Sequence, residues 1–267
     1  GSPRAGCGPR RRSWRGAPAA TRAAEIEPIT PLLVLAAPDV SEKVRLSSRT
    51  LPGGMTNAGI VRSFPRTVRV NIASPINAPT EPLRWLGAVE LKEAKGVRLH
   101  LTNVKAPSGT IFWTYAPGQA AVAVKGRGEP DLWLPSVAGT IAYLEVETFG
   151  LPVSFELREA AHLTETLDLE TSCLVDATCI TDTQADAISL ARRAVARFFV
   201  VNGSNVGTCS GSLVADRNDT NTPYFLTADH CVGSQAAASS MEIFFDFRSA
   251  TCGGPVPSRS SVPRVRG

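Results

Sequence analysis

Residues 207–231 read GTCSGSLVADRNDTNTPYFLTADHC and close on a histidine followed by a cysteine, His230-Cys231. An imidazole works as a general base when one ring nitrogen is held toward the reacting group. A strand end pinned by a neighbouring disulfide supplies that rigidity. The pattern predicts an apolar strand that opens at Pro223 and stops at His230. Cys209 is expected to open a small-residue turn, Ser210-Gly211-Ser212, ahead of Leu213 and Val214. Cys209 and Cys231 are then spaced to staple two adjacent strands across the polar loop Asp216 to Thr222. Asp229 points to the face opposite His230 and is expected to be exposed. A lone strand histidine is more often structural than catalytic. The two cysteines, Thr227-Ala228 upstream and the small residues after Cys209 together favour the base.

CSGSLV followed by LTADHC resembles the CxGxL…LTAxHC signature of trypsin-like serine proteases. The resemblance is more specific to the bacterial lysyl endopeptidases. A polar loop (Asn218-Asp219-Thr220-Asn221), then YFLTADHC, then an aromatic strand through Phe244-Phe245-Asp246-Phe247 to Cys252 is similar to their pattern. It covers roughly Ser172 to Gly254. It implies that His230 is the base of a Ser-His-Asp triad. It also implies the pairs Cys209 with Cys231 and Cys179 with Cys252, and a partner for Cys173 outside this chain, leaving Cys173 and Cys7 unpaired.

Triads of this order run His, Asp, Ser, and 37 residues follow His230 in the chain of 267. They contain no GDSGGP-like nucleophile motif. The acids among them are Glu242 and Asp246. Asp246 falls inside the aromatic strand, where the family does not place its triad acid, and reads as structural. Ser210 and Ser212 precede the histidine and belong to the turn. The expectation is therefore the amino-terminal fragment of a serine endopeptidase precursor, lacking the nucleophilic serine and the triad aspartate and inactive as given. Lysine specificity is what the family implies, but the pocket residues would lie farther on. The alternative is a non-catalytic secreted β-sandwich binding module with a degenerate protease remnant.

Composition narrows the partners. The formal net charge is +4, from 28 basic and 24 acidic residues. Six arginines (Arg4, Arg10, Arg11, Arg12, Arg15, Arg22) and no acid occupy the first 22 positions. Setting those six aside leaves 22 basic against 24 acidic residues, which argues against a nucleic-acid face spread over the fold. The aliphatic run Leu32 to Ala37, between Pro31 and Pro38, is too short for a membrane span or signal-peptide core. Five of the six cysteines fall between Cys173 and Cys252, and without a CxxC or HxxxH spacing they read as disulfides of a secreted or periplasmic protein, not metal ligands. No cofactor and no metal are expected. Partners are protein or peptide substrates, with no nucleic acid, no membrane and a monomeric state.

The elements that must position His230 read as mainly β: an amino-terminal β-sandwich, then the first, incomplete part of a trypsin-like double β-barrel. Residues 1–25 form a basic leader taken as disordered, 26–165 a sandwich pro-region or accessory domain, and 166–267 the start of the protease domain. Up to about Thr80 the one clear strand is Thr67 to Ile72. Val97, Leu99 and Leu101 alternate with Arg98, His100 and Thr102, a half-buried strand with His100 on the solvent face. Ile111 to Tyr115, Thr140 to Thr148 and Val153 to Leu157 repeat the habit, with Gly and Pro between them. Glu145 and Glu147 share a face taken as solvated. Trp85, Trp113 and Trp133 read as sandwich core before a ligand groove.

Glu159 to Thr171 reads as an unstructured or weakly helical acidic connector where a pro-region would end. A helix is expected over Thr183 to Ala196, then a strand Arg197 to Val201 and a turn Asn202 to Asn205. No strand signal follows Cys252. Ile243, Phe244, Phe245 and Phe247 are expected to present exposed apolar edges.

Overall fold

The computed structural model describes residues 29–51, 53–73, 82–164, 176–180, 185–218 and 220–267. Along these the chain forms β1 (Leu33–Leu35), α1 (Val40–Ser47), β2 (Thr56–Ile72), β3 (Leu83–Leu91), β4 (Gly96–Lys105), β5 (Ile111–Tyr115) and β6 (Val122–Lys125). It continues through β7 (Leu132–Trp133), β8 (Val137–Ala138), β9 (Ile141–Thr148) and β10 (Val153–Leu163). Then come α2 (Ala185–Ala194), β11 (Val195–Asn202), β12 (Asn205–Val214), β13 (Tyr224–Leu226), α3 (Gln235–Ser239), β14 (Glu242–Phe245) and β15 (Arg264–Arg266). The fold is mainly β, with curled sheets that make a half-barrel.

Alternating apolar residues make two of these layers into a sandwich. One sheet has the order β1-β3-β9-β5-β6; the other runs β15-β14-β11-β12-β2-β10-β4-β7, with β13 on β12 and β8 on β4. Val89, Phe112, Leu144 and Val146 of the first meet Leu99, Leu101, Phe155 and Leu157 of the second in one buried cluster. Phe155 takes edge-on contacts from Trp85 and Phe112, with centroids at 5.5 and 6.1 Å. That is the favoured aromatic geometry. Each such side chain contributes roughly 1.5–3 kcal/mol by leaving water.

The second sheet does not stop at the sandwich. β2 pairs with β10 over most of its length, and its first residues pair with β12, from Thr56 opposite Thr208 to Ile60 opposite Asn205. β2 is longer than the single strand expected at 67–72. Pro65 hides it in the sequence, because a proline donates no ladder hydrogen bond. The structure places Pro65 where the β2–β10 register shifts, so no ladder bond is demanded of it.

β11 and β12 form a hairpin in which Asn202 faces Asn205 and Gly203 takes φ +58°. This is the turn expected at 202–205. β11 is covered on both faces. Phe198 and Val200 join Leu51, Met55, Cys231 and Ile243, while Phe199 joins Trp133, Leu163, Val206 and Phe244.

Several expectations need correction here. Ser210-Gly211-Ser212 is not a turn but the continuation of β12. Gly211 is small because a Cβ there would stand 2.5 Å from the Phe225 ring. Glu159 to Leu163 extends β10, so the connector begins later than Glu159. Residues 264–266 form a strand after all, pairing with β14. That strand and the sandwich cover the expected apolar edges: Phe244 and Ile243 are buried, Phe245 and Phe247 half-buried. The leader, Cys7, Cys173 and most of the connector lie outside the described residues.

Candidate active site

His230 lies in a turn past β13, not at the end of a strand. β13 ends at Leu226, and Cys231 N and Val232 N both donate to Ala228 O, at 3.0 and 3.3 Å. Thr227 Oγ1 donates to Ser210 O at 2.9 Å and ties the turn to β12. The Cys209–Cys231 disulfide, with Cα atoms 6.2 Å apart, fastens the residue after His230 to the same strand. A second disulfide joins Cys179 to Cys252. Both pairings agree with those the family resemblance implied.

The buried side of the turn is apolar and its outer side is open. Cys231 packs with Leu51, Met55, Ala237 and Met241, whereas His230 and Asp229 are exposed. The loop before β2 passes close by: a Cβ on Gly53 would lie 3.9 Å from both the Cβ and the carbonyl oxygen of His230. Exposure leaves the imidazole able to meet a reactant, and the disulfide with the Thr227 hydrogen bond limits how far its backbone can move. Among the described residues no hydrogen bond to the His230 ring is formed, so no acid orients it.

Asp246 does not supply that acid. It sits just past β14 in a turn at φ +54°, outside the strand expected to contain it, and pairs with Arg248 at 2.6 Å. Ser210 and Ser212 are strand residues, and the Ser210 carbonyl is occupied by Thr227. Beside them a cleft of about 390 Å³ is lined by Arg192, Arg197, Thr208, Cys209, Asp246 and Arg248, among others, but not by His230. Among the described residues Cys209, His230 and Cys231 are the group whose ligand atoms cluster within 4.8 Å. With both sulfurs in a disulfide no thiolate is present, and the set does not fit a metal.

Away from His230, three polar residues differ from their expected settings. His100 is not on a solvent face. It stacks on Trp133 with centroids 4.2 Å apart, its Nδ1 is 2.9 Å from Glu159 Oε1, and its Nε2 contacts Asp131. Glu145 is buried and within reach of the Tyr115 hydroxyl and Arg84, while Glu147 also faces Arg84. Arg98, which alternation assigned to the open face of β4, is fully buried against the carboxy-terminal strands. Nothing within β4 reveals that second cover. Trp85 and Trp133 pack as core, as expected.

The lysyl endopeptidase C-terminal domain family matches residues 167–266. The lysyl endopeptidase of Pseudomonas aeruginosa is 31% identical over 194 residues, covering 65% of this chain and 41% of that protein. The chain thus spans about two fifths of the length of that relative. No solved structure matches it. No helix among the described residues is long and apolar enough to cross a membrane. With the motif CSGSLV…LTADHC and both disulfides in place, the chain is a relative of the lysyl endopeptidase family.

Proposed function

We propose that this chain carries the amino-terminal part of a secreted or periplasmic serine endopeptidase precursor, with His230 as its general base. The observation that carries this reading is the exposed imidazole of His230 on a turn fastened to β12 by Cys209–Cys231. A serine from sequence beyond this chain attacks the peptide carbonyl while His230 takes its proton. His230 then returns that proton to the leaving amine, and an aspartate from the same later sequence orients the ring. Residues 166–267 begin the protease domain, residues 26–165 serve as its sandwich pro-region or accessory domain, and residues 1–25 are a basic leader. The family match beginning at residue 167 supports that division. Substrates are proteins or peptides cleaved after lysine, and the protein acts as a monomer.

The test extends the chain through its downstream coding sequence and measures hydrolysis of a lysyl ester. His230→Ala should lower the rate by about a hundredfold to ten-thousandfold. Its unfolding free energy should change by less than about 0.5 kcal/mol, because the side chain is exposed. Residues 1–267 alone should neither hydrolyse the ester nor take a fluorophosphonate on any serine. An unchanged rate in the variant, or stoichiometric labelling of a serine within 1–267, overturns the reading. A downstream sequence without a nucleophilic serine favours the non-catalytic binding module instead.

A further inference from the structure

The face of β4 turned away from the sandwich core holds Arg98 with no exposure to solvent. Its Nε donates to Leu134 O at 2.8 Å and its Nη1 to Ser240 O at 2.6 Å, while Nη2 is buried with no hydrogen-bond partner. A buried cationic donor left unpaired is costly. Glu242, 3.6 Å from Nε, offsets only part of the charge. The same carboxylate accepts the Ser136 amide on both oxygens, at 3.0 Å each, and faces Arg264 at 3.4 Å. Burial lowers the Arg98 pKa to about 10; Glu242 opposes the shift and the neighbouring positive charge of Arg266 adds to it.

Arg98 lines a cleft of about 220 Å³ together with Lys125, Arg127, Glu242, Arg264 and Arg266. The cleft lies between β6, at one edge of the five-stranded sheet, and β15, at one edge of the larger sheet. Five cationic side chains thus meet one lining carboxylate. A second carboxylate, Glu129, pairs with Arg266 at 2.8 Å.

We propose that this cleft binds a small tetrahedral oxyanion, of phosphate or sulfate chemistry. Arg98, Arg264 and Arg266 form its floor, and Lys125 and Arg127 its mouth. Guanidinium forks match the paired oxygens of such an ion, and the cleft is smaller than the roughly 300–1,000 Å³ that larger organic ligands occupy. A bound dianion draws β6 toward β15 and so holds the sandwich to the carboxy-terminal strands. The site is independent of the proposed proteolytic function.

The chain is titrated with inorganic phosphate, and separately with sulfate, at an ionic strength held constant with sodium chloride. Calorimetry and thermal unfolding are read together. One saturable site is expected, with the melting temperature raised by about 5 °C at a hundredfold excess over the dissociation constant. Arg127→Gln and Arg266→Gln should each weaken binding about tenfold, while Arg49→Gln, on a distant exposed loop, leaves it unchanged. Arg127 is exposed, so its variant remains readable even if Arg266→Gln, which breaks the pair with Glu129, unfolds. A melting temperature that rises without saturation and equally in all variants is a salting effect and overturns the site. So does the absence of binding heat, or binding indifferent to Arg127→Gln.

Discussion

Between the sandwich sheets, Leu99, Leu101, Phe112, Phe155 and Val146 are buried in one continuous apolar cluster. Among the described residues no disulfide crosses it. Around His230 the corresponding cluster is smaller and is closed by Cys209–Cys231 and Leu51, Met55 and Phe198, with Cys179–Cys252 nearby in sequence order. Among the described residues the sandwich is held without a covalent tie, by burial, strand ladders and surface ion pairs such as Arg69–Glu156. The strands that carry His230 combine a smaller cluster with covalent ties and with β2, which belongs to the sandwich. The difference teaches that the rigidity of the candidate base is borrowed: one part from cystine bridges, another from the neighbouring layer.

The sharpest way to break that comparison is at the seam. Glu242→Ala leaves Arg98 buried without its carboxylate and releases the Ser136 amide, and it should cost about 3–5 kcal/mol. Denaturant unfolding of a Trp14→Phe, Trp133→Phe background, followed at Trp85 and Trp113 on the sandwich strands β3 and β5, checks the coupling. If the sandwich transition stays in place while the protein loses its carboxy-terminal strands, the two regions are not coupled through Glu242.

Next in size are the bridges. Replacing Cys179 and Cys252 by alanine opens a loop of 73 residues, and replacing Cys209 and Cys231 one of 22. Chain entropy gives losses of about 4 and about 3 kcal/mol respectively. The larger loss belongs to the bridge farther from His230. Equal losses, or a reversed order measured by chemical denaturation, would mean that local packing around Cys231 outweighs loop length.

The effect that is smallest at neutral pH is confined to acid. His162, buried in β10, has a pKa lowered to about 4, chiefly by burial, with the positive charge of Arg62 adding and Glu42 and Glu93 opposing. The unfolded chain takes up that proton near pH 6.5 while the folded chain does not until about pH 4. Stability should therefore fall as pH drops from about 6.5 to about 4, by less than about 1.4 kcal/mol for each pH unit crossed. His162→Gln should remove that slope, as read from melting temperature against pH. Glu156, held near a pKa of about 2 by Arg158 and then Arg69, adds a separate loss at still lower pH.

Local sequence carried much of the design. Alternation in Val97-Arg98-Leu99-His100-Leu101 located β4 and its core face correctly. The motif CSGSLV…LTADHC by itself puts Cys209, His230 and Cys231 together, as they are in the structure. Asn202 to Asn205 read as a turn because glycine reaches a positive φ without strain. The same alternation misplaced Arg98 and His100, since a two-residue period separates two faces without saying whether the second is also covered. It missed most of β2 because Pro65 reads as a break.

What the sequence determined by itself was thus one face of each strand, the turn residues and the His-Cys motif, all set by short-range sterics and hydrophobicity. Only the tertiary structure decided that β2 lies beside β12, that β14 and β15 bury Arg98, and that Asp246 turns away toward Arg248. Apart from the local Asp246–Arg248 pair, set where β14 ends, those are contacts between residues far apart in the chain. Their energy comes from a second surface that no local pattern contains.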